Sequence, residues 1–335
     1  MDKTHRLDYI DVVAGVMICW MILRHCIVFS HYSPPAIPKE LLAFFMPWFF
    51  YKSGVFFINM SQKDLLIKDI GKYLRYFCVY SLIGWMVWCL CSLYNNELTI
   101  KACIKVPFFH FIKFGYIDGN GALWFLLSLF FVRQCANVLT IKKRLSPLVL
   151  SIICMALAYT LYQIEWYKQS WWLGNFFSGL CFFLLGYWLK TLEQNNIVFI
   201  SSLIIYGLVC CACFLGFIEF PYLYMHANKM TCGNYLLYYP TALAGIIVIN
   251  NLFRLLCKRV RFRILGFIGR SSMYFYVTHW ILFTIVAFIS KSLIYLESHR
   301  LVFLILLGSS IVFLPLIGRL IDWLKNKNSV LNKIL

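Results

Sequence analysis

Long apolar runs alternate with short polar segments along most of this chain. Each run approaches the ~20 residues, at ~1.5 Å per residue, that a helix needs to cross the hydrocarbon core of a bilayer. Ten runs stand out: 10–30, 41–60, 74–94, 122–139, 147–164, 172–189, 197–218, 236–256, 267–289 and 301–321. They predict an all-α fold, a polytopic membrane bundle of about ten transmembrane helices. We expect a single membrane domain over residues 1–335.

The composition agrees with this pattern. Hydrophobic residues make up 62% of the chain and charged residues only 13%, and the mean hydropathy is +0.76. A soluble domain has about 25% charged residues. The 14 cysteines lie mostly within the runs, where small polarizable side chains pack well, so no metal site is expected.

The net charge of +18 first suggests nucleic acid as a partner, but the positions of the charges do not. With the N-terminus in the cytoplasm, 17 Lys and Arg residues fall in inside segments and eight in outside segments. Cytoplasmic segments of membrane proteins are enriched in these residues. The charge therefore predicts that both termini are cytoplasmic in a multi-pass protein of the cell (inner) membrane, surrounded by lipid, with no nucleic-acid partner.

A few ionisable side chains interrupt the apolar runs. An ionisable group in the bilayer costs on the order of 3 kcal/mol on insertion scales, so each one is a candidate functional residue. Arg133 is near the end of its span, where snorkelling to the membrane surface predicts a structural role. His279 is either a core histidine bonded to a backbone carbonyl or a functional group. The remaining members of the set are Arg24, His25 and Lys52.

His25 lies in the run VVAGVMICWMILRHCIVF, with Arg24 beside it. The helical rise puts it ~22 Å from the inner surface, in the outer half of the bilayer. A neutral imidazole there is a candidate general base for an incoming hydroxyl. Arg24 points about 100° away from His25, so it either snorkels outward or lines a polar cavity from another side.

Lys52 lies midway through the second run, in AFFMPWFFYKSGVFF. Pro47 is expected to kink this helix, and Gly54 to allow another backbone to approach closely. A buried lysine needs a partner, a hydrated cavity or an anionic ligand. One pore containing His25, Lys52 and His279 would make all three tolerable together.

Two outside segments, 95–121 and 219–235, are long and rich in aromatic residues. These aromatics can form a belt at the membrane–water interface, where such side chains are common. Alternatively, they can form a platform for a sugar or a polar lipid. The residues in question are Phe108, Phe109, Phe111, Tyr222 and Tyr224.

Four stretches, in order, resemble the acyltransferase-3 family of membrane acyltransferases. They are RLDYIDVVAGVMICWMILRH, FFMPWFFYKSGVFF, GALWFLLSLF and GRSSMYFYVTHW. The resemblance covers nearly the whole chain. It implies a bundle of about ten helices, a cytoplasmic acyl-CoA donor (usually acetyl-CoA) and an acceptor hydroxyl on an extracytoplasmic glycan or glycolipid.

The resemblance also suggests roles for single residues. His25 matches the histidine that ends the family's first-helix motif of Arg or Lys, ten residues, then His, but Ala14 stands where the family has its cation. We expect Lys52 or Arg24 to supply that charge. Lys72 and Arg75 approximately match a basic pair suited to coenzyme A phosphates, although they equally fit ordinary inside-facing charges. Further candidates for the pore or donor site are Trp124, Ser271, Ser272 and His279.

The resemblance therefore implies an acetyl-CoA-dependent O-acyltransferase. His25 would act as the general base or, as a variant, carry the acyl group itself. Lys52 would stabilise the oxyanion, and Lys72 and Arg75 would hold the donor. Two other classes stay open: a transporter of glycans, lipid-linked sugars or acyl groups through the same pore, and an inactive scaffold.

Overall fold

The computed structural model describes residues 8–34, 42–96, 99–141 and 145–327. Its helices are α1 (Asp8–Ser30), α2 (Phe45–Val55), α3 (Gln62–Asp69), α4 (Arg75–Tyr94), α5 (Ile100–Phe114), α6 (Trp124–Ile141), α7 (Pro147–Gln163), α8 (Trp172–Leu189), α9 (Asn196–Phe214), α10 (Tyr235–Leu256), α11 (Arg263–Arg270), α12 (Ser272–Phe288) and α13 (His299–Lys327). A short antiparallel hairpin pairs β1 (Tyr222–Tyr224) with β2 (Lys229–Cys232). π-Helical turns at Ile70–Leu74 and Ile289–Leu293 follow α3 and α12.

Eight helical stretches within the described ranges are long and apolar enough to cross a membrane. They are Asp8–Ser30, Gln62–Tyr94, Gly121–Thr140, Trp172–Leu189, Asn196–Phe214, Tyr235–Leu256, Ser272–Ser292 and His299–Ile321. The other two predicted runs contain shorter helices, the 17-residue α7 and the 11-residue α2. The all-α polytopic bundle predicted from the sequence is confirmed.

The second run forms a shorter helix than the sequence predicted. Residue 41 lies outside the described residues, α2 begins at Phe45, and the chain leaves the helix after Val55. The Asn137 side chain then holds the non-helical segment, because it accepts a hydrogen bond from the Met60 N–H at 3.3 Å and donates one to the Met60 carbonyl at 3.0 Å. An amide in α6 thus satisfies backbone groups that a longer α2 would have satisfied itself.

Helices α2 and α8 touch backbone to backbone. A Cβ atom added to Gly54 would lie 1.9 Å from the Phe183 carbonyl oxygen, and one added to Gly186 would lie 2.1 Å from the Tyr51 carbonyl oxygen. Only glycine fits at both positions, and small residues at crossing points are typical of membrane helix pairs. The close approach expected at Gly54 is therefore present, and it fixes the helix that carries Lys52.

The outer segment 95–121 contains a helix that the apolar pattern did not predict. Thr99 caps the start of α5 by accepting a hydrogen bond from the Ala102 N–H, and Gly115 ends it with a left-handed backbone (φ +74°). Phe108 and Phe109 are 66% and 56% exposed on this helix. An amphipathic helix with exposed phenylalanines is suited to the membrane interface, as in the belt interpretation.

Arg133 does not snorkel to the membrane surface, although the sequence predicted that it would, but forms a buried ion pair. Its Nε atom donates to the carboxylate oxygens of Asp69 at 2.9 and 3.1 Å, and both residues are buried. Gln134 donates to the same carboxylate at 3.0 Å. This cluster ties α6 to the end of α3, where the π-helical turn that carries Lys72 begins.

Candidate active site

Two cavities enter the bundle from opposite sides and meet near its centre. The outer cavity, of about 520 Å³, is lined by residues of α1, α12 and the predicted outside segments. The inner cavity, of about 400 Å³, is lined by residues near the predicted cytoplasmic side, including Asp11 and Lys72. Met46 and Tyr276 line both cavities. Substrates that approach from the two sides would therefore meet at these two side chains.

His25 and His279 lie in direct contact at the outer cavity. His25 Nδ1 is 2.8 Å from His279 Nε2, and His279 Nδ1 is 3.1 Å from the Phe275 carbonyl oxygen. Since a carbonyl oxygen only accepts, His279 Nδ1 carries the proton of that bond, and in the neutral ring Nε2 is then the acceptor. His25 must donate from Nδ1, which leaves its Nε2 unprotonated. This chain of hydrogen bonds puts a lone pair on the histidine that lines the cavity.

Both interpretations of His279 from the sequence describe part of its environment. It is fully buried and bonded to a backbone carbonyl, as a core histidine would be, yet its second nitrogen orients His25. The Trp280 ring packs edge-on against His25, with the ring centroids 4.9 Å apart. The tautomer and the position of the His25 ring are therefore both fixed by α12.

Arg24 lines the outer cavity with His25, from another side of α1. Its guanidinium lies 5.7 Å from the centre of the Tyr222 ring. Its Nη1 atom is buried and has no hydrogen-bond partner among the described residues. A buried guanidinium nitrogen without an acceptor is costly, and an anionic group in the cavity would satisfy it.

Aromatic rings form much of the outer cavity wall. Trp124, one of the residues singled out by the family resemblance, belongs to this wall. The others are Phe29, Phe45, Trp88, Tyr116, Trp171, Tyr222, Tyr224, Tyr276 and Trp280. The aromatics of the outside segments thus divide: Phe108 and Phe109 are exposed on α5, whereas Tyr222 and Tyr224 face the cavity, as the platform interpretation expects.

Sequence reasoning missed His226, which lies in the turn between β1 and β2. Its ring stacks on Trp124 with the centroids 4.9 Å apart and meets Trp171 edge-on at 4.5 Å. It is only 7% exposed, and Nε2 has no hydrogen-bond partner within the described part of the chain. Burial lowers the pKa of His226 to about 3, so this side chain is a neutral acceptor in the cavity. A histidine in a loop gives no sequence signal by itself.

Lys52 does not lie beside His25. It lines the inner cavity together with Lys68, Lys72, Arg133 and Arg270, and its Nζ atom is 5.1 Å from the centre of the Trp48 ring. The single pore expected for His25, Lys52 and His279 is thus replaced by two cavities. The reason is that α2 ends at Val55, so Lys52 lies in its last turn, toward the predicted cytoplasmic side.

The remaining predicted donor-site residues are not all in the inner cavity. Lys72 lines it, and so does Ser272, whereas Ser271, between α11 and α12, does not belong to its lining. Arg75 lies over the Tyr76 ring, with its guanidinium 5.3 Å from the ring centre, and is also not among the lining residues.

Ala14, at the position of the family's usual cation, is fully buried in α1. The adjacent turn of α1 packs tightly on α11, since a Cβ atom on Gly269 would lie 1.7 Å from the Asp11 carbonyl oxygen. Arg270 follows Gly269 and lines the inner cavity with Asp11. A cation from another helix is therefore present close to the place where α1 lacks one.

The comparison with protein-family models identifies an acyltransferase family. The model described as an acyltransferase domain matches residues 7–319, which includes both cavities and the His25–His279 pair. Searches of curated proteins and of solved structures gave no match. Because the family model covers nearly the whole chain, the protein belongs to the acyltransferase-3 family of membrane acyltransferases.

Proposed function

We propose that the protein transfers an acyl group, in the first instance acetyl, from cytoplasmic acyl-CoA to a hydroxyl of an extracytoplasmic glycan or glycolipid in the cell membrane. The observation that carries this proposal is the His25–His279–Phe275 hydrogen-bond chain beside the point where the two cavities meet. The hydrogen-bond chain supplies a base in the outer cavity, and the inner cavity gives the acyl donor access to it.

The chemistry follows from the His25 tautomer. Nε2 removes the proton of the acceptor hydroxyl while the oxygen attacks the thioester carbonyl. The carbon–sulfur bond then breaks, and the imidazolium returns its proton to the coenzyme A thiolate. His279 holds His25 in position throughout, because its Nε2 accepts from His25 Nδ1. The same geometry permits attack by His25 itself, and trapping of an acyl-histidine would support that variant.

The positive charges divide between the two cavities by role. Arg24, which has an unpaired Nη1 and lies in the outer cavity, is placed to stabilise the oxyanion. Lys52, Lys68, Lys72 and Arg270 in the inner cavity suit the phosphates of coenzyme A. We assign to Arg270 the role of the cation that Ala14 replaces, since α11 brings it next to α1.

The test is acetyl-CoA binding and turnover by the purified protein in nanodiscs. We expect His25→Ala to bind acetyl-CoA like the wild type but to lose transfer, by at least about 10²-fold. Lys72→Gln should weaken donor binding, whereas Lys63→Gln, an exposed lysine of α3 outside the inner cavity, should not. Failure to bind any acyl-CoA, or movement of a substrate across the membrane without thioester cleavage, would favour the transporter instead.

A further inference from the structure

A further recess, separate from the outer and inner cavities, opens to the predicted outer surface next to the outer cavity. It has a volume of about 710 Å³, and we call it the basic groove. Its defining residues are Lys113, Tyr167, Lys168, Trp171, Tyr224 and Lys229. They come from separate parts of the chain: the end of α5, the connection between α7 and α8, and the β-hairpin.

The charged residues that line the groove are all positive, and one carboxylate, that of Glu165, lies close to Lys168 and Lys229 at its edge. The groove lining includes Lys113, Lys168 and Lys229 and, among the described residues, no carboxylate. Lys168 is ion-paired with the neighbouring Glu165, an exposed contact that contributes little. Lys229 Nζ lies 5.5 Å from the centre of the Tyr167 ring, and Lys113 Nζ lies 5.2 Å from that of Phe114. Aromatic faces thus position two ammonium groups.

The preference of Lys and Arg for the cytoplasmic side does not explain the position of these lysines. Lys and Arg in membrane proteins favour the cytoplasmic side, and here most of them follow that preference. The groove lysines face the opposite side, where they are concentrated around one recess. Clefts lined by charge of one sign attract ligands of the other sign.

The groove continues into the outer cavity. Trp171 and Tyr224 line both spaces, and His226 packs edge-on against both of their rings, at 4.5 and 5.9 Å between ring centroids. A ligand longer than one sugar ring can therefore lie in the groove while its end reaches the cavity that contains His25. Aromatic walls at the junction offer flat apolar faces to sugar rings.

We propose that the basic groove binds the anionic group of an acidic glycan, so that the acceptor is a glycan with a carboxylate or phosphate on a sugar near the one acylated. This inference rests on the proposed function and narrows its acceptor class. In this arrangement Lys113 and Lys229 contact the anionic group, and Tyr167 and Trp171 contact the sugar rings. The glycan then continues past Tyr224 toward His25.

The test is binding of matched probes to the full-length protein in phosphatidylcholine nanodiscs, without acyl donor. One pair of probes is tetragalacturonate and its methyl ester, which share a sugar backbone and differ in charge. A second pair is maltotetraose with and without a terminal phosphate. The variants are the Lys113→Gln/Lys229→Gln double variant and, as a matched control on the same outer face, the Lys101→Gln/Lys105→Gln double variant. Lys101 and Lys105 are exposed on α5 and lie outside the groove.

We expect at least one charged probe to bind roughly tenfold more tightly than its neutral partner, as a few solvated ion pairs can provide. The Lys113/Lys229 variant should lose this preference, and the Lys101/Lys105 variant should keep it. Which probe shows the preference distinguishes a carboxylate from a phosphate. Equal binding within both pairs, no binding of either charged probe, or the same loss in both double variants would overturn the proposal. Because the assay contains no acyl-CoA, its result is independent of whether His25 catalyses transfer.

Discussion

His25 Nδ1 lies 2.8 Å from His279 Nε2, although the two residues are 254 positions apart in the chain. The contact joins the first-helix histidine to α12. It also makes the protonation state of His25 Nε2 depend on a hydrogen bond within α12, from His279 to the Phe275 carbonyl.

Replacement of His279 should therefore slow transfer without removing the donor site. We expect His279→Phe to lower kcat between about 10- and 100-fold, because His25 loses the acceptor that fixes its tautomer. His279→Gln should recover part of the rate, since its amide oxygen can accept from His25 Nδ1. The measurement is kcat and KM for acetyl-CoA.

One control is His299→Gln, because the exposed His299 also bonds a backbone carbonyl through Nδ1, that of Ser30, but lies outside both cavities. If His299→Gln slowed transfer as much as His279→Phe, the effect would reflect bundle stability rather than orientation of His25.

His226 should make the folded protein sensitive to acid. Its pKa is about 3 in the fold against an ordinary value of 6.5, because burial disfavours the charged ring. Below pH 6.5 the unfolded chain therefore takes up a proton that the folded chain refuses, and the free energy of unfolding falls as the pH drops toward 3. In His226→Phe this loss should be smaller. The measurement is the unfolding temperature at pH 7 and pH 4.5.

Trp171→Phe is the control for that comparison, since it loosens the same ring cluster and removes no titratable group. If the unfolding temperature of His226→Phe fell between pH 7 and pH 4.5 as much as that of the wild type, the prediction would be contradicted.

His226 should also affect transfer. We expect His226→Phe to raise KM for the acceptor, and His226→Gln to bring KM part of the way back, because its amide supplies a hydrogen-bond acceptor.

The Asp69–Arg133 ion pair should be essential for the stability of the protein and for donor binding in the inner cavity. Removing one partner of a buried pair typically costs about 3–5 kcal/mol, because the other charge is left without compensation. We expect Asp69→Asn to lower the unfolding temperature and to weaken acetyl-CoA binding, since Lys72 lies in the turn that follows Asp69. The Asp69→Leu/Arg133→Leu double variant should be more stable than Asp69→Asn. If the double variant were less stable than Asp69→Asn, the uncompensated charge of Arg133 would not be the cause of the destabilisation.

Gly54→Ala should disrupt the α2–α8 contact. The new Cβ would lie 1.9 Å from the Phe183 carbonyl oxygen, so the backbones must separate, at a cost of about 1–3 kcal/mol or more. Gly207→Ala is the matched control, because nothing lies within 4 Å of a Cβ added there on α9. The measurements are the yield of folded protein and its unfolding temperature. Equal values for Gly54→Ala and Gly207→Ala would contradict the backbone contact at Gly54.

Apolar runs predict much of this fold because the bilayer demands long helices with few charges. They do not reveal where a helix stops when a distant side chain takes over its backbone hydrogen bonds. Asn137 does this for the segment after α2, and the early end of α2 is the reason that Lys52 lies in the inner cavity. Helix α5 was missed for another reason: it is amphipathic, so its apolar residues form no continuous run.

The candidate site shows a similar division. His25 and His279 stand out in sequence because they are ionisable groups in apolar runs, and the family motif marks His25. His226 and Arg270 carry no such signal, since one lies in a loop and the other at the edge of a run. Their placement depends on how the β-hairpin covers the outer cavity and how α11 packs on α1, which are long-range contacts.

Met46 and Tyr276, which line both cavities, are held in different ways. The Tyr276 hydroxyl donates to the Ala122 carbonyl, so its ring is held in place, whereas the unbranched Met46 side chain can change rotamer. Within the described residues the two cavities share only these two lining side chains. Under the proposed function, a small acyl group would pass a methionine that changes rotamer, while the two side chains would limit the leakage of ions. The membrane would then keep its electrochemical gradient while the acyl group crosses it.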